Sequence, residues 1–268
     1  MRLLKLNRPD NSIETKNFVN DDDIPPYAIL SHTWGLDTDE VTLADLKNDT
    51  GKQKVGFEKI LFCGEQARQD DLEYFWVDSC CIDKSDSVEL QEAINSMFRW
   101  YQRAKKCYVY LSDVSQPTVN IGDDMNNLPC EQAFRKSRWF TRGWTLQELL
   151  APEIVEFFSK ERVRIGNKKS LERYIAEVTG IPIKVLRGDL FTFSISERLS
   201  WQENRNATRK EDKAYSLLGI CGVHISLIYG EGEKNAYRRL QAEIDSVTKG
   251  ESNSHYLLLS KCIKSGSC

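Results

Sequence analysis

The residues best placed to do chemistry lie in Arg138-Trp-Phe-Thr-Arg-Gly-Trp-Thr-Leu-Gln-Glu-Leu-Leu150, where one carboxylate, Glu148, stands among tryptophans and arginines. From Trp144 to Leu150 there is no Gly or Pro, Thr145 is the only β-branched residue, and Pro152 follows, so the segment is expected to form a short helix. Trp144 and Glu148, four apart, share a face of that helix. Leu146, Leu149 and Leu150 fall largely on another arc, suited to burial, which leaves the Trp/Glu face free to line a cleft. Two roles stand open for Glu148: a catalytic group, or the ion-pair partner of Arg142 or Arg138.

Three apolar runs must position such a cleft. Tyr27–Leu30, Tyr74–Val77 and Cys107–Leu111 are rich in aromatic and branched residues and short enough to be buried strands. Between them, Phe57–Gln69 and Glu89–Arg103 carry helical periodicity, with Leu90, Ile94, Met97, Phe98 and Tyr101 as a core stripe. Asp86 and Glu89 resemble a capping box at the start of the second helix. Alternating strands and helices predict an α/β fold, a parallel sheet flanked by helices on both faces. Each run ends in polar residues: Ser31-His-Thr-Trp-Gly35, Asp78-Ser-Cys-Cys-Ile-Asp83 and Ser112-Asp113. Ligands of open parallel sheets bind outside the carboxyl ends of the strands, so these loops are expected to line one edge. The alternative is that Ser31, Asp78, Ser112 and Asp113 only cap the helices that follow.

The second half reads as an additional α+β part. Glu153–Phe158 and Arg162–Ile165 resemble strands, whereas Ser170–Thr179, Lys210–Leu218 and Tyr237–Val247 resemble helices. Residues 248–268 read as a tail or linker. Gly230-Glu-Gly-Glu-Lys234 does not make a phosphate loop, because it lacks the Gly-Lys-Ser/Thr ending and Glu231 and Glu233 would repel a phosphate.

With 268 residues, 40% of them hydrophobic, the chain can bury a sizeable core. Its 37 Lys plus Arg nearly balance 40 Asp plus Glu, so no global field favours nucleic acid as a partner. Charges interrupt the N-terminus too early for a signal peptide, and no apolar run reaches the length of a membrane span. A cytoplasmic protein with reduced thiols is expected. None of the eight cysteines forms a Cys-x-x-Cys pair and the three histidines are scattered, so no metal site is expected.

Tyr27-Ala-Ile-Leu-Ser-His-Thr-Trp-Gly35, Trp76-Val-Asp-Ser-Cys-Cys-Ile-Asp-Lys84, Arg142-Gly-Trp-Thr-Leu-Gln-Glu148, Arg209-Lys-Glu-Asp-Lys-Ala-Tyr-Ser-Leu-Leu-Gly219 and Tyr229-Gly-Glu-Gly-Glu233 closely resemble the fungal heterokaryon-incompatibility (HET) domain. The likeness runs over about residues 1–247. It implies an effector of programmed cell death in non-self recognition, coupled to a nucleotide-triphosphatase domain and a repeat sensor.

The order of elements is also similar to TIR domains, in which a Trp-Cys-x-x-Glu-Leu segment supplies the glutamate of an NAD glycohydrolase. Trp144-Thr-Leu-Gln-Glu-Leu149 keeps the Trp and the Glu-Leu and carries Thr145 where cysteine is usual. This second resemblance implies a TIR/flavodoxin-like core over about residues 24–160, with a family-specific extension over about 161–247. It also implies self-association into a homo-oligomer on activation, NAD as substrate rather than cofactor, and Glu148 as the catalytic group. Expulsion of a neutral base from a pyridinium needs no general acid, so one carboxylate stabilising an oxocarbenium-like ribose can suffice. Ser31, His32, Trp34, Gly35, Asp78, Cys81, Asp83, Arg142 and Trp144 are the candidate substrate-binding residues. Trp34 or Trp144 would stack on a base, Arg138 or Arg142 would pair with the pyrophosphate, and backbone amides of Thr33–Gly35 would add donors. The alternative function is a non-catalytic signalling module that uses the same edge to bind a partner.

Overall fold

The chain forms a seven-stranded mixed sheet of order β2-β1-β4-β3-β5-β6-β7, seen in a computed structural model that describes residues 1–116 and 130–264, with side chains as far as 249. The strands are β1 (Arg2–Leu6), β2 (Ile13–Asn17), β3 (Tyr27–His32), β4 (Tyr74–Trp76), β5 (Lys106–Tyr110), β6 (Val155–Phe158) and β7 (Arg164–Asn167). The four middle strands, β4-β3-β5-β6, are parallel. Their chain order is that of a doubly wound sheet, with its switch point between β3 and β5. Antiparallel strands extend both sides, β1 and β2 beyond β4 and β7 beyond β6. The polar, largely exposed β2 closes one edge, as edge strands commonly do.

Helices of the first half are α1 (Leu43–Asn48), α2 (Phe57–Gln69), α3 (Asp78–Cys81), α4 (Ser87–Arg103), α5 (Glu131–Arg135) and α6 (Thr145–Leu150). Those of the second half are α7 (Glu172–Thr179), α8 (Ile183–Leu186), α9 (Ile195–Ser200), α10 (Asp212–Tyr215), α11 (Leu218–Cys221) and α12 (Glu233–Lys264). All six residues of β3 are buried. Two tyrosines tie α4 to that strand: Tyr27 donates to the Trp100 carbonyl at 2.5 Å and Tyr101 to the Leu30 carbonyl at 2.9 Å, so neither buried hydroxyl lacks a partner.

Several expectations change. Asp86 caps α4 by accepting from the Val88 and Glu89 amides, but Glu89 does not complete a capping box. Its carboxylate is taken by Arg2, at 2.6 and 3.1 Å, and by the Asp83 amide. β1, whose ion pair to α4 this is, reads in sequence only as an interrupted apolar run. The charged segment Lys210–Leu218 is not one helix; it forms α10, a turn and α11. Both strands expected in the second half form, as β6 and β7, but they join the main sheet rather than a separate part, and the chain is otherwise helical after them. α12 continues through the expected tail or linker to Lys264, and residues 265–268 lie outside the described residues. No helix of the described residues is long and apolar enough to cross a membrane.

Gly219 on α11 is where the second half meets α4 most closely. A Cβ there would lie 2.0 Å from Cβ of Phe98, an atom close to the backbone that cannot swing away. Gly219→Ala is therefore expected to lower the unfolding free energy by about 1–3 kcal/mol, read as a lower urea midpoint. An unchanged midpoint would mean that α11 and α4 are not packed this tightly.

Candidate active site

Glu148 is 7% exposed and forms no ion pair among the described residues. Arg138, one expected partner, is an exposed side chain 3.5 Å from Asp113, and Arg142 lines the same cavity as Glu148 without bonding to it. Glu148 is held instead by a chain of two hydrogen bonds. The indole Nε1 of Trp139 donates to Ser31 Oγ at 2.7 Å, and Ser31 Oγ donates to Glu148 Oε2. Its other carboxylate oxygen has no hydrogen-bond partner among the described residues. Burial pushes the carboxyl up to about 8, outweighing the Ser31 hydrogen bond and the more distant Arg142 and Arg205, while Asp78 adds to the rise.

Every residue of α6 is buried. A helix this short needs its ends tied down, and the second half of the chain supplies both ties. At the N-terminal end, Arg205 donates to the Arg142 carbonyl at 3.0 Å and to Thr145 Oγ1 at 2.8 Å, while Thr145 Oγ1 donates to the Trp139 carbonyl. The Gly143 amide donates to the Asn206 carbonyl at 2.8 Å. A Cβ at Gly143 would sit 2.7 Å from Gln202 Nε2, so glycine permits this approach. At the C-terminal end, the buried Lys168 ammonium donates to the Leu149 and Pro152 carbonyls, the sign of charge that a helix C-terminus favours. Burial lowers Arg205 to about 10 and Lys168 to about 8.

A cavity of about 390 Å³ opens beside Glu148, outside the carboxyl ends of β3 and β4. Two tryptophans stand in its walls, each held by an aspartate through its indole nitrogen. Trp34 Nε1 donates to Asp78 Oδ2 at 2.9 Å, and Trp144 Nε1 donates to Asp212 Oδ2 at 3.1 Å. Tyr229 donates to the other oxygen of Asp212 at 3.0 Å, and the Arg209 guanidinium lies 4.2 Å from the centre of the Tyr229 ring. Burial raises the Asp212 carboxyl despite these two donors. Ile94, Met97 and Tyr101 of α4 add an apolar side.

His32, Trp34, Asp78, Arg142, Trp144 and Glu148 all line this one cavity. His32 is buried, with Nε2 3.5 Å from Glu40 and Nδ1 3.9 Å from Asp78; Nε2 has no hydrogen-bond partner. Ser31 lies behind Glu148, fully buried. Neither Ser31 nor Asp78 caps a helix, since both side chains bind site residues. Asp113 does hold a turn, accepting from Ser137 Oγ and the Arg138 amide. Three of the other candidates lie apart. The Gly35 amide is already donated to Glu40 at 2.7 Å, the buried Cys81 thiol accepts from the Val77 amide, and Asp83 accepts from Ser85. Glu40 itself, which burial would raise, is held at about 2 by His32, Lys59 and the Gly35 amide.

Thr208, Arg209, Asp212 and Tyr229 also line the cavity and were not among the candidates from sequence. Arg209, Asp212 and Tyr229 were signalled by the polar, aromatic character of the two distal motifs, and Thr208 immediately precedes the first of them. Among the described residues no group of three or more His, Cys, Asp or Glu is placed to hold a metal ion, and the six cysteines whose side chains are described are buried free thiols.

Fold and cavity define a doubly wound α/β domain with an enclosed carboxylate beside its switch point. Residues 27–129 match the family model of the heterokaryon incompatibility protein (HET) domain. The chain is 55% identical over 245 residues to the vegetative incompatibility protein HET-E-1 of Podospora anserina. The chain belongs to the HET-domain family. The match covers 91% of this chain and 18% of that relative. No solved structure matches the chain.

The raised Glu148 carboxyl has a consequence for stability. Its folded value, about 8, exceeds the unfolded one, so the folded state binds the proton more tightly. Stability is fully present below the ordinary carboxylate range and is lost as pH rises toward about 8, by an amount on the order of a few kcal/mol. Glu148→Gln is neutral at every pH and is expected to remove this loss. Urea unfolding of both proteins between pH 5 and pH 9 checks it, and the same slope in the variant would show that another group titrates.

Proposed function

We propose that this domain is a cell-death effector of fungal non-self recognition that acts, when self-associated, as an NAD glycohydrolase with Glu148 as its catalytic carboxylate. The observation that carries the reading is the lone buried carboxylate, one oxygen held by Ser31 and the other unpartnered, in a cavity walled by two aspartate-anchored tryptophans. The doubly wound strand order and the position of Glu148 on α6, between β5 and β6, support the TIR-like reading. Membership of the HET family, and the name of the Podospora relative, support the role in incompatibility. That the chain matches only 18% of that relative supports coupling to further domains; in this reading they are a nucleotide-triphosphatase and a repeat sensor of a cytoplasmic protein.

In this mechanism the bond between the nicotinamide nitrogen and ribose C1′ breaks with its electron pair going to nicotinamide. The pyridinium becomes a neutral base, and positive charge moves onto the ribose. Water adds to C1′ and loses a proton, giving ADP-ribose. Burial keeps Glu148 mostly protonated at neutral pH. A cationic ring beside it favours the carboxylate, so binding and ionisation are coupled and a proton leaves as substrate enters. Ser31 then donates to the charged form and orients it. Trp34 or Trp144 stacks on a base of the dinucleotide, and Arg142 and Arg209 face its phosphates.

Release of nicotinamide from NAD by concentrated protein is the direct test. Glu148→Gln is expected to lose at least about a hundredfold in rate while still binding NAD, because one transition-state contact is removed. A variant that keeps the wild-type rate ends the catalytic role of Glu148. Trp34→Ala is expected to act chiefly on KM, by an amount equivalent to about 1–3 kcal/mol of stacking. An unchanged KM would place the base elsewhere.

A further inference from the structure

Trp34 carries a cation already. The Lys84 ammonium lies 3.4 Å from the centre of the Trp34 ring, the separation at which a stacked ligand ring would sit. Asp78 fixes the indole by its Nε1, so the ring cannot turn to offer the ammonium's position to a ligand while keeping that bond. Lys84 lines the cavity with Trp34, and the carboxylates of Asp37, Glu40, Asp78 and Glu148 line it too. Glu40 is committed to Lys59, at 2.5 Å, and to the Gly35 amide. Lys84, by contrast, makes no ion pair or hydrogen bond among the described residues. It stands on the turn between α3 and α4, an exposed residue whose ammonium end is desolvated in the cavity, which lowers it from the ordinary lysine value, so it can leave the ring without disturbing the core. Another part of the lining is built differently: there the cation is the planar Arg209, over the Tyr229 ring.

We infer that Lys84 is a resident cation on the Trp34 subsite, and that the subsite selects a planar organic cation, the pyridinium half of a dinucleotide, which displaces the Lys84 ammonium as it binds. The inference rests on the proposed dinucleotide substrate and assigns its cationic end to the Trp34 wall. Ring face, aspartate and cavity carboxylates then serve the ligand's charge as they serve that of lysine. A neutral ring of the same shape gains the stacking but cannot replace the charge.

Binding separates this from catalysis. N-methylnicotinamide, which is a pyridinium cation without phosphates, and neutral nicotinamide would be titrated by calorimetry into wild-type protein, Lys84→Met and Trp34→Ala. ADP-ribose, with phosphates and no cation, would be titrated into the first two. Thermal unfolding confirms that each variant folds. Lys84→Met is expected to bind N-methylnicotinamide about tenfold tighter, with a smaller gain for nicotinamide, and Trp34→Ala to bind the cation more weakly than wild type. Unchanged or weaker binding of the cation by Lys84→Met, an equal gain for both rings, or no binding to any form overturns the inference. Weaker ADP-ribose binding by Lys84→Met, with N-methylnicotinamide unchanged, also overturns it by making Lys84 a phosphate contact. If the expected pattern holds but wild-type protein releases no nicotinamide from NAD, the hydrolase reading fails and the cation subsite stands.

Discussion

A serine hydroxyl has one proton to give, and at Ser31 its direction is set by Trp139. Because the indole N–H donates to Ser31 Oγ, the serine proton is left for Glu148. Trp139 is fully buried against Phe140 and Phe157, so the donor end of the chain is fixed by packing. The carboxylate end is fixed by α6. One oxygen of Glu148 is thereby held in the core and the other is left to the cavity. The rest of the domain can be understood as what is needed to keep this buried, unpaired carboxyl in place.

That requirement explains why the second half of the chain is integral to the first. A six-residue helix has little stability of its own, and α6 has no exposed face on which to make local ion pairs. Arg205 and Lys168 reach it from beyond α9 and from just past β7, respectively, bonding backbone carbonyls at its two ends. Both cations are buried without a carboxylate partner among the described residues, which is costly, and both are lowered from their usual range by that burial. Their energy goes into the placement of one helix, as buried charges retained near functional groups often do.

The cavity walls follow the same logic of fixed polar atoms behind adaptable faces. Each tryptophan gives its single N–H to an aspartate, Trp34 to Asp78 and Trp144 to Asp212, which leaves the ring as an apolar surface of set orientation. The two aspartates come from distant parts of the chain, one from the start of α3 and one from α10. A site assembled this way is preorganised by hydrogen bonds that lie outside the ligand's volume.

Much of this was legible in sequence. Short aromatic and branched runs named β3, β4 and β5, and helical periodicity gave α2 to the residue and α4 to within two. The polar ends of the first two strands brought His32, Trp34 and Asp78 to one edge because parallel crossovers return every strand in the same direction. The four-residue spacing put Trp144 and Glu148 on one wall. Other features had no local signal. β1 is a strand because Leu3 and Leu4 are covered on both sides of the sheet, and Glu89 abandons its cap for Arg2, a residue 87 positions away. Whether Glu148 pairs with an arginine depended on where Arg138 and Arg142 point, and only packing put Ser31 there instead. Arg205 and Lys168 look like ordinary surface charges in the sequence. Composition and periodicity determine which residues must be buried and in which elements. Which polar group meets which is decided by the tertiary structure, since a hydrogen bond depends on ångström distances between segments that the sequence separates by scores of residues.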